Sequence, residues 1–132
     1  MRKILSIPKI REKDRIVKEF QGIQVDDSGD MTREKLLSIV HEYDGIIAGD
    51  IVYYDDEVFE KAKKLKIITR FGVGVDNVDI PAATRHGIMI TNVPGVNAES
   101  VAEHTVGLLL AAAKNFAFCD REVRKANWCR FE

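Results

Sequence analysis

The feature that most constrains this chain is a regular alternation of short apolar runs with longer helical patterns. Lys3 to Ile7, Ile23-Gln-Val25, Gly45 to Ala48, Lys66 to Arg70 and Gly87 to Thr91 are too short for helices and rich in isoleucine. Such runs read as five buried strands. Between them, Glu12 to Phe20, Thr32 to Tyr43 and Asp56 to Leu65 carry apolar residues at helical spacing, as Leu36, Leu37, Ile39 and Val40 do in the second. A fourth helix is short: Asp79 is placed to cap it, Pro81 stands in its first turn and Gly87 closes it. Strand and helix in strict succession, with right-handed crossovers, give a parallel sheet with helices on both faces. The expected fold is therefore α/β, a flavodoxin-like doubly wound five-stranded sheet of order 2-1-3-4-5 over residues 1–93.

The pattern breaks at Asn92-Val-Pro-Gly-Val-Asn97. Residues 94–99 read as a hinge, and 100–132 as a helical arm that opens a second domain. Ser100-x-x-Glu103 has the form of a capping box for a helix reaching about Asn115. Its second half, Val106 to Ala113, is apolar nearly all round, which predicts a helix enclosed on several sides. Phe118 to Trp128 follows as a charged amphipathic stretch.

Composition removes several classes of function. At 132 residues, 45% hydrophobic and 31% charged, the chain has the makeup of a folded domain rather than a disordered segment. Twenty Lys and Arg against 21 Asp and Glu leave a net charge of -1. No overall positive field exists to gather nucleic acid or an anionic membrane, so any anion site must be local. The apolar run 106–113 is far short of the roughly 20 residues that span a bilayer. Pro8 and Lys9 interrupt the N-terminal apolar stretch before a secretory signal could form. Cys119 and Cys129 match neither a redox pair nor a zinc half-site and read as free thiols in a reducing compartment. The expectation is a soluble, cytoplasmic protein without a bound metal.

Candidate chemistry concentrates in Arg70-Phe-Gly-Val-Gly-Val-Asp-Asn-Val-Asp79, at the carboxyl end of the fourth strand, where open α/β sheets place their ligands. Gly72 and Gly74 allow a turn with exposed N–H groups, a nest for carboxylate or phosphate, and Arg70 adds a planar cation. The plainer alternative is a tight strand-to-helix turn with Arg70 in solvent. The run is no dinucleotide fingerprint, because position 77 is Asn where a third glycine is needed and no long helix follows. His41 and His86 lie near helix ends, where imidazolium favours the last carbonyls, and His104 lies within the long helix; packing or capping is the default for each.

The run from Arg70 through Thr91-Asn-Val-Pro-Gly-Val-Asn-Ala-Glu-Ser-Val-Ala-Glu-His-Thr-Val-Gly-Leu-Leu-Leu110 resembles the NAD-dependent D-isomer-specific 2-hydroxyacid dehydrogenases, and within them the phosphoglycerate dehydrogenase branch. The resemblance is dense from Arg70 to Asn115. It implies a flavodoxin-like substrate-binding domain that the chain leaves through the crossover 94–99 to enter a Rossmann domain, whose remainder is absent. In the first domain the N–H groups of Gly72, Val73 and Gly74 would hold the carboxylate of a small 2-hydroxy or 2-keto acid. Arg70 matches a basic position beside that loop, and Asn97 matches the asparagine that formate dehydrogenases set against substrate. Val93 and Val101 match positions that approach the nicotinamide of NAD, where they contribute shape only. The helix 101–115 matches one that helps form a homodimer.

The family's glycine fingerprint, its ribose-reading acid and its catalytic Arg, Glu and His all lie downstream of the point matching Glu132. The chain is accordingly expected to be the substrate-binding portion of an oxidoreductase, with no catalytic residue of its own and no tight hold on NAD. The alternative is a stand-alone module that binds a small carboxylate or regulates an intact paralogue. A phosphoacceptor receiver would need paired acids after the first strand and Lys-Pro after the fifth, where this chain has Pro8-Lys9 and Asn92-Val-Pro94. A flavodoxin would need a hydroxyl- and glycine-rich phosphate loop after the first strand, and Ile10-Arg-Glu-Lys-Asp14 offers none.

Overall fold

The computed structural model describes residues 1–7 and 13–128. The chain forms two compact units, divided between Pro94 and Gly95. In the first, strands β1 (Arg2–Ser6), β2 (Ile23–Asp27), β3 (Gly45–Ala48), β4 (Ile67–Arg70) and β5 (Met89–Thr91) alternate with helices α1 (Lys13–Glu19), α2 (Arg33–Ile39), α3 (Asp56–Lys61) and α4 (Ile80–Arg85). All neighbouring strands are parallel and the order is β2-β1-β3-β4-β5, as the alternation predicts. The helices are shorter than their periodicity suggests. After α2 the chain tightens into a 3₁₀ turn, Val40–Glu42, and after Lys61 the Ala62 N–H bonds back to Val58 and Phe59, ending α3. Glu12, read as the first residue of α1, lies outside the described residues.

The register explains where the core sits. Leu5, Ile46 and Ile68 are paired across β1, β3 and β4 and so share one face. They are buried there with Leu36, Val40, Val58, Phe59, Ala82 and Ala83 of the α2–α4 side. The opposite face carries Ile4, Ile47, Ile67, Thr69 and Thr91, all half-buried. Near β1 and β2 it meets Ile16 of α1. The two faces thus differ: three helices cover one, and among the described residues of this unit only α1 packs on the other. Arg70 ends β4 in register with Ala48, on the side of Leu5 and Ile68. Its side chain is therefore drawn under the helices.

Local chemistry closes the elements as expected at α4, where the Asp79 carboxylate accepts from Ala82 N–H at 2.9 Å, Pro81 occupies the first turn and Gly87 has φ +66°. In the same way Thr32 caps α2 and Asp55 caps α3.

The second unit holds α5 (Ala98–Ala113) and α6 (Phe116–Arg124). Here the sequence expectation needs correcting. The helix begins two residues before Ser100, with Asn97 as its N-cap and no side-chain capping bond, so the Ser100–Glu103 box does not form. The cause lies upstream: Gly95, at φ +75°, makes a turn whose carbonyl accepts from Ala98 N–H, and this starts the helix early. Nor is α5 enclosed. None of its residues is buried, and Leu109 is 65% exposed. No helix among the described residues is long and apolar enough to cross a membrane.

One ion-sensitive contact ties the β2 edge to the rest. The Tyr43 hydroxyl donates to Asp26 Oδ2 at 3.2 Å, and burial, with the Asp26 charge, pushes its pKa up to about 12. Because the folded value is raised above the unfolded one of about 10, this contribution to stability is complete below pH 10 and is lost as pH rises through about 12. Replacing Tyr43 by Phe should flatten the fall in urea midpoint between pH 10 and 12, leaving the profile below pH 9 parallel to that of the unsubstituted chain.

Candidate anion-binding site

The Gly72–Gly74 turn follows β4 directly, at the carboxyl edge of the sheet. Its three carbonyl groups are all engaged. Gly72 O accepts from Val93 N–H at 3.0 Å, Val73 O from the Asn92 amide at 2.7 Å, and Gly74 O from Arg70 Nε at 3.0 Å. The N–H groups of the same residues donate to no described residue. Each carbonyl fixes the plane that carries the next residue's N–H, so the bonds to Gly72 O and Val73 O orient the Val73 and Gly74 donors.

Arg70 is placed differently from a solvated fork. It is 7% exposed, and besides Gly74 it donates through Nη1 to the carbonyls of Ala48 and Gly49, at the end of β3. Its other terminal nitrogen, Nη2, lies on the Gly72 side, 3.9 Å from the position a β-carbon there would take. No carboxylate among the described residues lies within ion-pair distance of this guanidinium. Backbone carbonyl dipoles are its only described partners, so the site carries a positive charge that is hydrogen-bonded but not neutralised.

Other charges nearby are already spent. Arg33, at the start of α2, is held by Asp55 at 2.8 Å and Glu57 at 2.7 Å, which raise its pKa further. Asp76 leans over the turn: a β-carbon on Gly74 would stand 2.9 Å from its carboxylate oxygen. His86 meets Asp56 at 3.0 Å and packs its ring 5.9 Å from that of Phe59, a structural role between α3 and α4. Arg85 and His86 together hold the Asp56 carboxyl below its usual range. His104 is exposed on α5, and no group of His, Cys, Asp and Glu able to hold a metal occurs among the described residues. A hollow of about 490 Å³ lies between α1 and β2 and shares no residue with the turn.

The structure brings Arg70, Gly72, Val73, Gly74 and Val93 together in the first unit. Asn97 and Val101 belong to the second, both exposed at the start of α5. Sequence reasoning missed Asn77 and Asn92, whose side-chain amides bind loop carbonyls. The turn propensity of asparagine was legible, but not which carbonyls would be in reach.

A Gly-x-Gly turn with free N–H groups beside a buried cation at the carboxyl edge of a 2-1-3-4-5 sheet is a feature open to comparison. The family model of the D-isomer specific 2-hydroxyacid dehydrogenase catalytic domain matches residues 4–127. The chain belongs to this family. It is 46% identical over 109 residues to D-3-phosphoglycerate dehydrogenase of Archaeoglobus fulgidus, covering 83% of this chain and 21% of that one. To glyoxylate reductase of Pyrococcus furiosus it is 38% identical over 112 residues, covering 85% of this chain and 33% of the relative. Among solved structures, NAD-dependent formate dehydrogenase from Staphylococcus aureus in complex with NAD superposes with TM-score 0.79 at 28% identity, covering 98% of this chain and 43% of that one. The chain thus spans about a fifth to a third of the length of these curated relatives.

Within the chain, the bonds of Arg70 to three carbonyls predict that lysine cannot replace it, since an ammonium cannot reach both loops at once. Arg70→Lys should lower unfolding stability in urea by about 2–3 kcal/mol, the size expected for charge-assisted bonds left unmade. A loss under about 0.5 kcal/mol would show that the carbonyls find other donors.

Proposed function

We propose that this chain is the substrate-holding part of an NAD-dependent D-2-hydroxyacid dehydrogenase and that it grips the carboxylate of a small 2-hydroxy or 2-keto acid. The N–H groups of Gly72, Val73 and Gly74 are the donors, and Arg70, reaching toward Gly72 through Nη2, supplies the opposing charge. The observation that carries this reading is the pairing of three carbonyls tied back into the fold with a buried guanidinium that has no acidic partner among the described residues. A bound carboxylate would complete both at once. The names of the relatives agree with the class, since phosphoglycerate and glyoxylate are or become small hydroxy acids.

NAD is the cofactor of this reading at the level of the family. Val93 and Val101 would border its nicotinamide, and Asn97 would face substrate. The residues of this chain do not fit its pyrophosphate: Gly72-x-Gly74 has Asn77 in place of the third glycine and leads into α4, only six residues long. No step of hydride transfer is therefore assigned to these residues, and the chain alone should neither bind NAD tightly nor turn over a 2-keto acid.

A titration of the ¹⁵N-labelled chain with pyruvate tests the grip. Shift changes should concentrate at Gly72, Val73 and Gly74 with the Arg70 Nε–H. Changes clustered elsewhere, or none, would refute the assignment.

The same reading assigns α5 to a contact between two copies. Val106, Leu108, Leu109 and Leu110 are each more than half exposed. Leaving such side chains in water costs about 1.5–3 kcal/mol apiece relative to burial, a large sum beside a domain stability of about 5–15 kcal/mol. Sedimentation equilibrium should give twice the 14.9 kDa chain mass. Substituting Leu109 and Leu110 by Glu should restore the monomer without unfolding the sheet.

A further inference from the structure

Asn77 stands outside the anion turn yet makes three of the bonds that join the two loops at the carboxyl edge. Its Nδ2 donates to Gly49 O at 3.0 Å and to Val52 O at 2.9 Å, and its own carbonyl accepts from Tyr54 N–H at 2.9 Å. The loop so held, between β3 and α3, is the one whose first carbonyl also receives Arg70 Nη1. Gly49 O is thus shared by Asn77 and Arg70, and Arg70 in turn holds Gly74 O. The bonds form one chain, from Asn77 through Gly49 and Arg70 to Gly74. Displacing the Gly49 carbonyl moves the guanidinium, and with it the Gly74 carbonyl that anchors the end of the turn carrying the anion donors.

The chemistry of the amide is specific. Both described side-chain bonds come from the donor nitrogen, while Oδ1 is buried without a partner. A flipped amide, or a carboxylate, would set oxygen against two carbonyl oxygens. The side chain at 77 must therefore donate twice, which neither aspartate nor a hydroxyl can do from this position. A buried acceptor left unpaired is a cost that a purely space-filling residue would not carry. Nor is the loop held by Asn77 alone: Asp79 N–H bonds Tyr54 O at 2.9 Å, and Tyr54 and Val78 form a parallel bridge. Losing the side chain should loosen residues 49–52 and leave the bridge.

We propose that Asn77 is a positioning residue of the anion turn, acting through Gly49 and Arg70 to set the donors of Gly72, Val73 and Gly74. This rests on the reading of that turn as a carboxylate grip. The test compares the unsubstituted chain with Asn77→Asp, which is nearly isosteric but ionised at pH 7. Pyruvate affinity is followed through the Gly72, Val73 and Gly74 amide shifts, from pH 7 to pH 5. The expected result is at least tenfold weaker binding at pH 7, with part of it regained toward pH 5 as the new carboxyl takes a proton and donates once. Val25→Ala, a core substitution in β2 remote from both loops, should keep its affinity within twofold, which separates positioning from a general loss of stability.

If Asn77→Asp does not fold, Asn77→Ser, which removes the reach without adding charge, carries the same comparison. Affinity within twofold of the unsubstituted chain, for either folded variant, overturns the positioning role and leaves the grip standing. An unsubstituted chain whose turn amides do not respond to pyruvate overturns the grip, and the positioning role with it, before any variant is made.

Discussion

A guanidinium nearly sealed from water sets the terms for the carboxyl edge of this sheet. Arg70 lies on the helix-covered face because register leaves it no other: it is two residues beyond Ile68 and pairs with Ala48. An ion in that position must be hydrogen-bonded or expelled. The ends of parallel strands offer carbonyls pointing along the chain, and those of Ala48 and Gly49 take Nη1 while Gly74 takes Nε. Solvation of the charge by backbone thus decides the path of both loops. It also leaves the charge without a counter-ion among the described residues, so the geometry that satisfies its hydrogen bonds favours an incoming anion.

That arrangement shows how a chain with a net charge of -1 can favour an anion locally. Long-range attraction is absent, and the nearby acidic groups Asp50 and Asp76 oppose it. What remains is short-range: peptide donors held in place by bonds to their own carbonyls, in a setting where one positive charge is poorly screened. On the proposed reading, such a site would recognise a small carboxylate by geometry. The bonds from Asn92 and Val93 to the same turn bring the end of β5 into it, so three successive strand ends share one construction.

The two units follow different physical logic. The first encloses its apolar residues between sheet and helices, with Tyr54, Phe59 and Ile68 fully buried. The second presents the apolar side chains of α5 to solvent. Its leucines are more than half exposed, and the relatives in its family are much longer chains.

The sequence by itself determined the order and kind of the elements. Strands of alternating burial and helices of 3.6 periodicity are local patterns, and parallel pairing follows because each crossover runs through a helix. The cap Asp79 was likewise readable, since a cap acts over three residues. The Ser100–Glu103 motif misled for the same reason in reverse: its spacing is local, but the turn at Gly95 started the helix first. The Gly72–Gly74 turn could be singled out from its glycines and its place after β4. Only the tertiary structure decided that Arg70 faces inward, that Asn77 and Asn92 hold the loops, and that the turn's donors are left free. Those facts depend on carbonyls 19 to 28 residues away, brought within about 3 Å by the pairing of β3 with β4 and of β4 with β5. Sequence spacing carries no record of such distances.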